Sequence, residues 1–427
     1  MKKVNLILVS IVLLCTACSS DDNGNSQPLN QPPSAVVLTS PIDNALGTDK
    51  NISFAYNVPE GDPEGDLITY DIYLNNGNEE LKIAEDLNEE SFIYNEPLGL
   101  NRNYTWRVVA KDNNGGQTES ESFSFKTRKA NYESLSADYT SRFLHSTLLF
   151  NDSFVITGGR DTDGLVTQSR QSLDGVNWSA APSNFPDRRS HNTVVFQDKI
   201  FLFGGRDDVA TTTFTDVYEL ADLSNGTTWE LVTSDHGFNP RVSNTLIVFD
   251  GKMYAIGGFE NNAGAVTRYQ EVISSIDGET WQEETTQAQF GPRSAHTSVV
   301  FDNKMWVIAG SGELGETNDV WFSENGVDWS MATANAGFTA RNSHTSVVYD
   351  NKIWVYGGYD DNDNILGDLW YSEDGVNWHE AKFEADGTGE LPIGLNFSSL
   401  VVKEDAMYVI GGTDSTGSLI NYTIKIQ

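Results

Sequence analysis

Arginine is scarce in this chain, and its placement follows a pattern. Arg142, Arg188, Arg241, Arg293 and Arg341 each stand three residues ahead of His145, His191, Asn244, His296 and His344. Arg189 sits beside Arg188, and Arg160 and Arg206 directly follow the glycine pairs Gly158-Gly159 and Gly204-Gly205. A planar guanidinium group forms paired hydrogen bonds with carboxylate, sulfate or phosphate. Arginines gathered at one place could therefore capture an acidic sugar or an acidic peptide. Phe259 and Tyr359 also follow glycine pairs and could stack on sugar rings. The competing role for the arginines is architectural, through hydrogen bonds to loop carbonyls and to acidic neighbours such as Asp207 or Asp360. The spacing accommodates both roles.

Other chemistries are narrowed by composition. The only cysteines are Cys15 and Cys18, so the rest of the chain has no thiolate nucleophile, disulfide or thiolate zinc site. Four of the six histidines occupy one repeated position. Such a ring rarely brings several imidazoles to one ion, so packing or hydrogen bonding between units is the expected role. Lys+Arg 27 against Asp+Glu 61 gives a formal net charge of -34, which repels polyphosphate and excludes nucleic acid as a partner. Calcium is the one cofactor the sequence raises. Asp62, Glu64 and Asp66, in a loop that resembles those of cadherin-like domains, are its candidate ligands. The acidic run from Asp360 to Asn364 lacks the glycine and glutamate of an EF-hand loop, with Ile365 and Tyr371 in their places.

The first residues read as an address. Lys2 and Lys3 precede an apolar run from Val4 to Leu14, and Thr16-Ala17 lead to Cys18. This resembles a bacterial lipoprotein signal, residues 1–17, with Cys18 as the lipidated residue, although Cys15 stands where such signals usually carry Leu. The acidic stretch Ser19-Ser20-Asp21-Asp22 resembles the export signal of Bacteroidetes surface lipoproteins. The resemblance implies a chain held by acyl groups in the cell outer membrane and exposed at the surface. Residues 18–33, rich in Ser, Asn, Asp, Gln and Pro, have too little apolar surface to order themselves and are expected to form a flexible tether.

The elements that must position the arginines are all strands. Over 34–128, alternating segments such as Ile52 to Tyr56 and Tyr104 to Ala110 are separated by Gly, Asn, Asp and Pro turns, the pattern of a small antiparallel sandwich. The Tyr104-x-Trp106-x-Val108-x-Ala110 run resembles a strand of fibronectin type III and immunoglobulin-like domains, and such a module serves as a spacer. Over 129–427 one unit recurs six times, marked by glycine pairs ending at Gly411-Gly412, with Ala309-Gly310 as a degenerate copy. Each unit holds four strands, a glycine pair after the second, and an Asp-Gly turn leading to a tryptophan such as Trp178, Trp281, Trp329 or Trp378.

These units resemble kelch repeats, and the turns are similar to the Asp-boxes of sialidase-like propellers, though one residue shorter. The fold class that follows is all-β, a six-bladed kelch-type β-propeller preceded by a small β-sandwich. The sixth unit lacks its outer strand, and the segment around Tyr132 is expected to supply it and close the ring. Topology sends the Arg-x-x-His segments and the loops after the glycine pairs to one face. Arg142, Arg160, Arg189, Arg206, Arg241, Phe259, Arg293, Arg341 and Tyr359 are thus the candidate ligand-binding residues. The leading functional expectation is a noncatalytic recognition lipoprotein binding a glycan or protein. The alternative is a carbohydrate-active propeller of the sialic-acid mutarotase or epimerase type, or of the sialidase type. Galactose oxidase shares the fold, but its copper chemistry needs a cysteine-linked tyrosine that no cysteine here could form.

Overall fold

A computed structural model describes residues 29–208, 213–224, 226–262, 265–384 and 393–427. Cys18, the signal segment and most of the tether lie outside the described residues. From Asn30 the chain is already held: Asn30 Nδ2 donates to Asp112 Oδ2 at 2.7 Å, Gln31 bonds Glu64, and the Pro33 carbonyl accepts from Thr118. The tether expected over 18–33 is therefore corrected at its end, because polar side chains rather than apolar burial fix residues 30–33 to the sandwich.

The sandwich packs two sheets. One contains Val37–Ser40, Ile52–Asn57 and Ser91–Tyr94; the other runs Ala45–Thr48, Phe123–Thr127, Asn103–Lys111, Thr69–Asn75, Glu80–Leu87. Alternation dictates which side chains face inward, so Phe54, Trp106 and Phe125 meet in the core, with Phe54 and Trp106 centroids 4.9 Å apart. The expected calcium loop spends several of its oxygens elsewhere, although Asp62 Oδ2 is buried without a partner among the described residues. Asp62 Oδ1 accepts the Glu64 and Asp66 amides, Glu64 binds Gln31, and Asp66 Oδ2 accepts Asn114 Nδ2. Asp62, Glu64 and Asp66 do not converge, and no group of His, Cys, Asp or Glu among the described residues could hold a metal ion. Asp360 likewise caps its own turn by accepting the Asn362 and Asn364 amides.

The rest is a ring of six four-stranded antiparallel sheets. The innermost strands are Ser146–Phe150, Asn192–Phe196, Thr245–Phe249, Thr297–Phe301, Thr345–Tyr349 and Ser399–Lys403. The sixth sheet takes its outer strand from Tyr132–Ser136, paired with Tyr422–Ile426 in the register Tyr132↔Ile426 to Ser136↔Tyr422. The Asp-Gly turns are pinned locally, as read from their spacing. Ser172 Oγ accepts the Gly175 amide at 2.9 Å, Asp174 Oδ1 accepts two further amides, and Trp178 Nε1 donates to the Gly175 carbonyl.

Adjacent sheets are joined by three repeated bonds around the axis. First, the second glycine of a pair donates its N–H to the carbonyl of the next sheet's arginine, as Gly159 does to Arg188 and Gly310 to Arg341, both at 2.9 Å. The first glycine faces that same carbonyl or the next histidine ring, and its positive φ disfavours a side chain, although the fourth sheet holds Ala309 there in the same left-handed conformation. Second, each His Nε2 meets a hydroxyl of the preceding sheet: His191 with Thr157 at 2.9 Å, His344 with Thr297 at 2.9 Å, His296 with Thr245 and His145 with Ser399 at 3.3 Å. Third, the residue before each His position adopts a left-handed conformation, from Leu144 through Ser190, Ser243, Ala295 and Ser343 to Phe397. Around the hole these residues link by backbone bonds, such as Ser190 N to Leu144 O and Ser343 N to Ala295 O at 2.8 and 2.9 Å.

The sandwich is docked against the fifth sheet. Leu100 is buried in the core that holds Trp354 and Tyr371, and the Tyr371 hydroxyl donates to the Leu100 carbonyl at 3.0 Å. Lys50 pairs with Asp350, Arg102 with Glu373 at 2.9 Å, and the buried Lys352 donates to the Pro97 carbonyl at 2.8 Å. Asp350 and Glu373 sit on the short turns of the face opposite the Arg-x-x-His segments. The opposite end of Asn103–Lys111 leads to Asp112, where Asn30 is held.

Candidate functional site

The arginines separate into two classes. Arg142, Arg188, Arg241 and Arg341 are 0% exposed and Arg293 is 3% exposed. In each, Nε donates to a carbonyl two or three residues earlier, and Nη1 donates to the carbonyl that ends the second strand of the same sheet: Gly158, Gly204, Gly257, Ala309 or Gly357. Four of them also bind a carboxylate at the start of the third strand: Arg188 to Asp216, Arg241 to Glu271, Arg293 to Asp319 and Arg341 to Asp368. Expected ligand contacts at Arg142, Arg241, Arg293 and Arg341 are thereby corrected. Apart from Arg142 Nη2, which is buried without a partner among the described residues, their donors are consumed inside single sheets, because extended strand entries alternate side-chain direction and send these positions inward.

The next residue points the other way. In all six units it forms a backbone bridge with the residue after the glycine pair: Phe143 with Arg160, Arg189 with Arg206, Val242 with Phe259, Ser294 with Ser311, Asn342 with Tyr359, and Asn396 with Thr413. The backbone is the same each time and the side chains differ. Arg189, Arg206, Phe259 and Tyr359 line one open cavity of about 490 Å³ over the hole of the ring. Arg160 lies outside that lining, half-exposed, with its Nε 3.4 Å from Asp208, which also accepts Arg189 Nε at 2.6 Å.

Among the residues of this wall that the sequence reading did not name are Arg268, Glu316, Asn342, Asp363 and Phe397. Arg268 ends a two-stranded ribbon, Phe259–Asn262 with Ala265–Arg268, that rises from the third sheet. Glu316 begins a long hairpin in the fourth, where Lys304–Ser311 pairs with Glu316–Ser323. The signal was available as extra length between the glycine pair and the third strand in the third unit, and as the degenerate Ala309-Gly310 in the fourth.

Electrostatically the cavity is mixed. Burial lowers the Arg206 guanidinium, and the positive charge of Arg189 adds to the effect. Burial raises the Glu316 carboxyl, opposed by a hydrogen bond from Asn342 and reinforced by Asp361. Arg206 Nε, Arg268 Nε and Glu316 Oε2 are buried and have no partner among the described residues. Tyr359 and Phe397 stand edge to face at 6.0 Å, with Phe143 a further 6.0 Å beyond Phe397. A ligand here meets guanidinium groups, the carboxyls of Glu316 and Asp363, and aromatic rings. A hollow of about 520 Å³ on the sandwich has Lys126 as its only charged side chain and offers no such convergence.

Three comparisons bear on the chain. The family model described as the KLHDC2/KLHL20/DRC7 Kelch-repeats domain matches residues 144–324 and 190–412, more than half of the chain taken together. A solved structure titled "Structure of YjhT" superposes with a TM-score of 0.56 at 14% identity, covering 69% of this chain and 99% of that one, which shows a shared fold. The Leucine-zipper-like transcriptional regulator 1 homolog of Drosophila melanogaster is 30% identical over 87 residues, 19% of this chain and 9% of that protein. The chain thus spans a small part of the curated relative it matches.

Proposed function

We propose a recognition function, proceeding from the premise that this chain belongs to the kelch-repeat domain family. Kelch propellers serve as binding or enzymatic platforms, and here the open cavity over the ring binds a carboxylate-bearing saccharide, as a free sugar or at the end of a glycan. One observation carries this reading. In a protein of net charge -34, Arg189, Arg206 and Arg268 converge on a single cavity that also presents Phe259, Tyr359 and Phe397. The arginines would fork onto the carboxylate and the rings would cover the apolar face of the sugar. The N-terminal segment supports a tethered placement, with Cys18 lipidated in the outer membrane. The chain enters at the sandwich end remote from the propeller, and the sandwich docks on the face opposite the cavity, so the cavity would look away from the membrane. The sandwich, fibronectin type III-like in its strand pattern, acts as a rigid spacer.

Arg206→Ala and Arg268→Ala should each weaken binding to uronic-acid or sialylated probes on a glycan array by about tenfold or more, given the usual strength of charge-assisted hydrogen bonds. Binding unchanged in both variants would reject the cavity as the site.

A second reading has an observation of its own. Glu316 is a raised carboxyl on the same wall as Arg268, the pairing that proton transfer on a clamped acidic sugar requires, as in sialic-acid mutarotation or epimerisation. Acceleration of sialic-acid anomer exchange by NMR, abolished in Glu316→Gln, would favour it; exchange at the buffer rate would remove it. A sialidase-type mechanism is less well served. Tyr269 does donate to Glu260 at 3.0 Å, but burial and that glutamate push the phenol up to about 12, away from nucleophile character.

A further inference from the structure

The buried arginines follow a rule that one of them breaks. The third-strand residues paired with Ile200, Met253, Met305 and Ile353 are Leu220, Ser275, Ser323 and Ser372. Four places before each stands the carboxylate that neutralises its sheet's arginine: Asp216, Glu271, Asp319 and Asp368. In the sixth sheet the same two positions hold Leu395 and Tyr422, so arginine and acid are both absent. The first sheet has Phe154 paired with Ser172, and four places before Ser172 is Gln168. Arg142 is as buried as its siblings, yet its sheet supplies no acid at this position.

What Arg142 meets instead is three carbonyls, of Thr140, Gly158 and Gln168, and a second guanidinium group, that of Arg170. Arg142 Nη1 donates to the Gln168 carbonyl at 2.7 Å, and Arg170 Nη2 donates to Gln168 Oε1 at 2.8 Å, so one residue holds two guanidinium groups side by side. Arg142 Nη2, Arg170 Nε and Ser169 Oγ are all buried without a partner among the described residues, and Ser169 is 1% exposed. Burial holds the Arg142 guanidinium down to about 10; Tyr139 counters this, and the like charge of Arg170 adds to it. The nearest acid acting on it, Asp161, already accepts two amides of its own turn. A desolvated guanidinium is costly without a counter-charge, and the two unmet guanidinium donors, Arg142 Nη2 and Arg170 Nε, mark where one would sit.

We infer that the first sheet binds a small monovalent anion, of which chloride is the biological representative, held by Arg142 and Arg170 in place of the carboxylate that four sister sheets carry covalently. The anion completes the wheel as a structural counter-ion. It is independent of any ligand in the cavity, and Gln168 sets the requirement for it.

The test uses the full chain, following thermal unfolding in sodium chloride, bromide or gluconate at constant ionic strength. Chloride and bromide should raise the melting temperature by about 3 °C relative to gluconate, as expected for a ligand bound only by the folded state. Gln168→Glu, at an exposed position, should melt in gluconate at least as high as the natural chain does in chloride and should lose the halide response. Crystals grown in bromide should show an anomalous peak within hydrogen-bond distance of Arg142 Nη2. Equal melting in the three salts, an undiminished halide response in Gln168→Glu, or no bromide at Arg142 would each overturn the inference.

Discussion

Acidification from pH 7 to pH 5 should strip this protein of a large part of its folding free energy, well before its carboxylates titrate. All six histidines are held below their ordinary value, with burial the first cause in each. His145 and His296 fall to about 3, with Arg142 and Arg293 adding repulsion, and His191 and His344 fall well below their ordinary value. A base that is harder to protonate in the folded state leaves the unfolded chain with more bound protons in acid. Its contribution is therefore complete above about 6.5 and is lost as the pH falls from there toward 3. At pH 5 a group depressed this far costs about 2 kcal/mol. Four such groups approach the whole stability of an ordinary domain, about 5–15 kcal/mol. The urea midpoint should drop sharply between pH 7 and 5. Replacing the four by Asn, the residue the third sheet uses at Asn244, should flatten the profile. A midpoint that does not move over this interval would show that protonated imidazoles are tolerated between the sheets.

The seam of the ring should respond strongly in both directions. Glu133 and Lys425 face each other across the closing pair, and Ile424 is buried between Ser134 and Val409. The Glu133→Cys/Lys425→Cys pair would span nearly the entire propeller, and covalent closure of so long a loop is worth about 3–5 kcal/mol. Oxidation should raise the melting temperature, and reduction should return it. Ile424→Asp places a charge in the same seam and should cost about 4 kcal/mol or more. If calorimetry finds neither effect, closure by the strand at Tyr132 does not hold the wheel together.

The architecture was legible because repetition amplifies weak signals. A single glycine pair says little, but five of them and the degenerate Ala309-Gly310, recurring roughly every fifty residues, specify sheets, and the missing strand of the last sheet could be traced to Tyr132 by interval alone. The chemistry was only half legible. Arg188 and Arg189 are neighbours of the same type, yet one is sealed inside its sheet and the other lines the cavity. Side-chain direction alternates residue by residue along an extended segment, and the sequence pattern does not say which phase the alternation takes. Repetition itself was the better guide: an arginine found in five units has a duty common to the units, whereas Arg189 and Arg206 occur at their positions in fewer. Arg268 and Glu316 escaped because they belong to ribbons that depart from the repeat, where periodicity carries no information.

The bridged pairs around the mouth, from Phe143 and Arg160 to Asn396 and Thr413, do their structural work through main-chain amides. Their side chains differ from unit to unit while the bridge is kept. Paralogues built on this frame can accordingly diversify their specificity at these twelve places by point substitution, with the wheel beneath inherited unchanged.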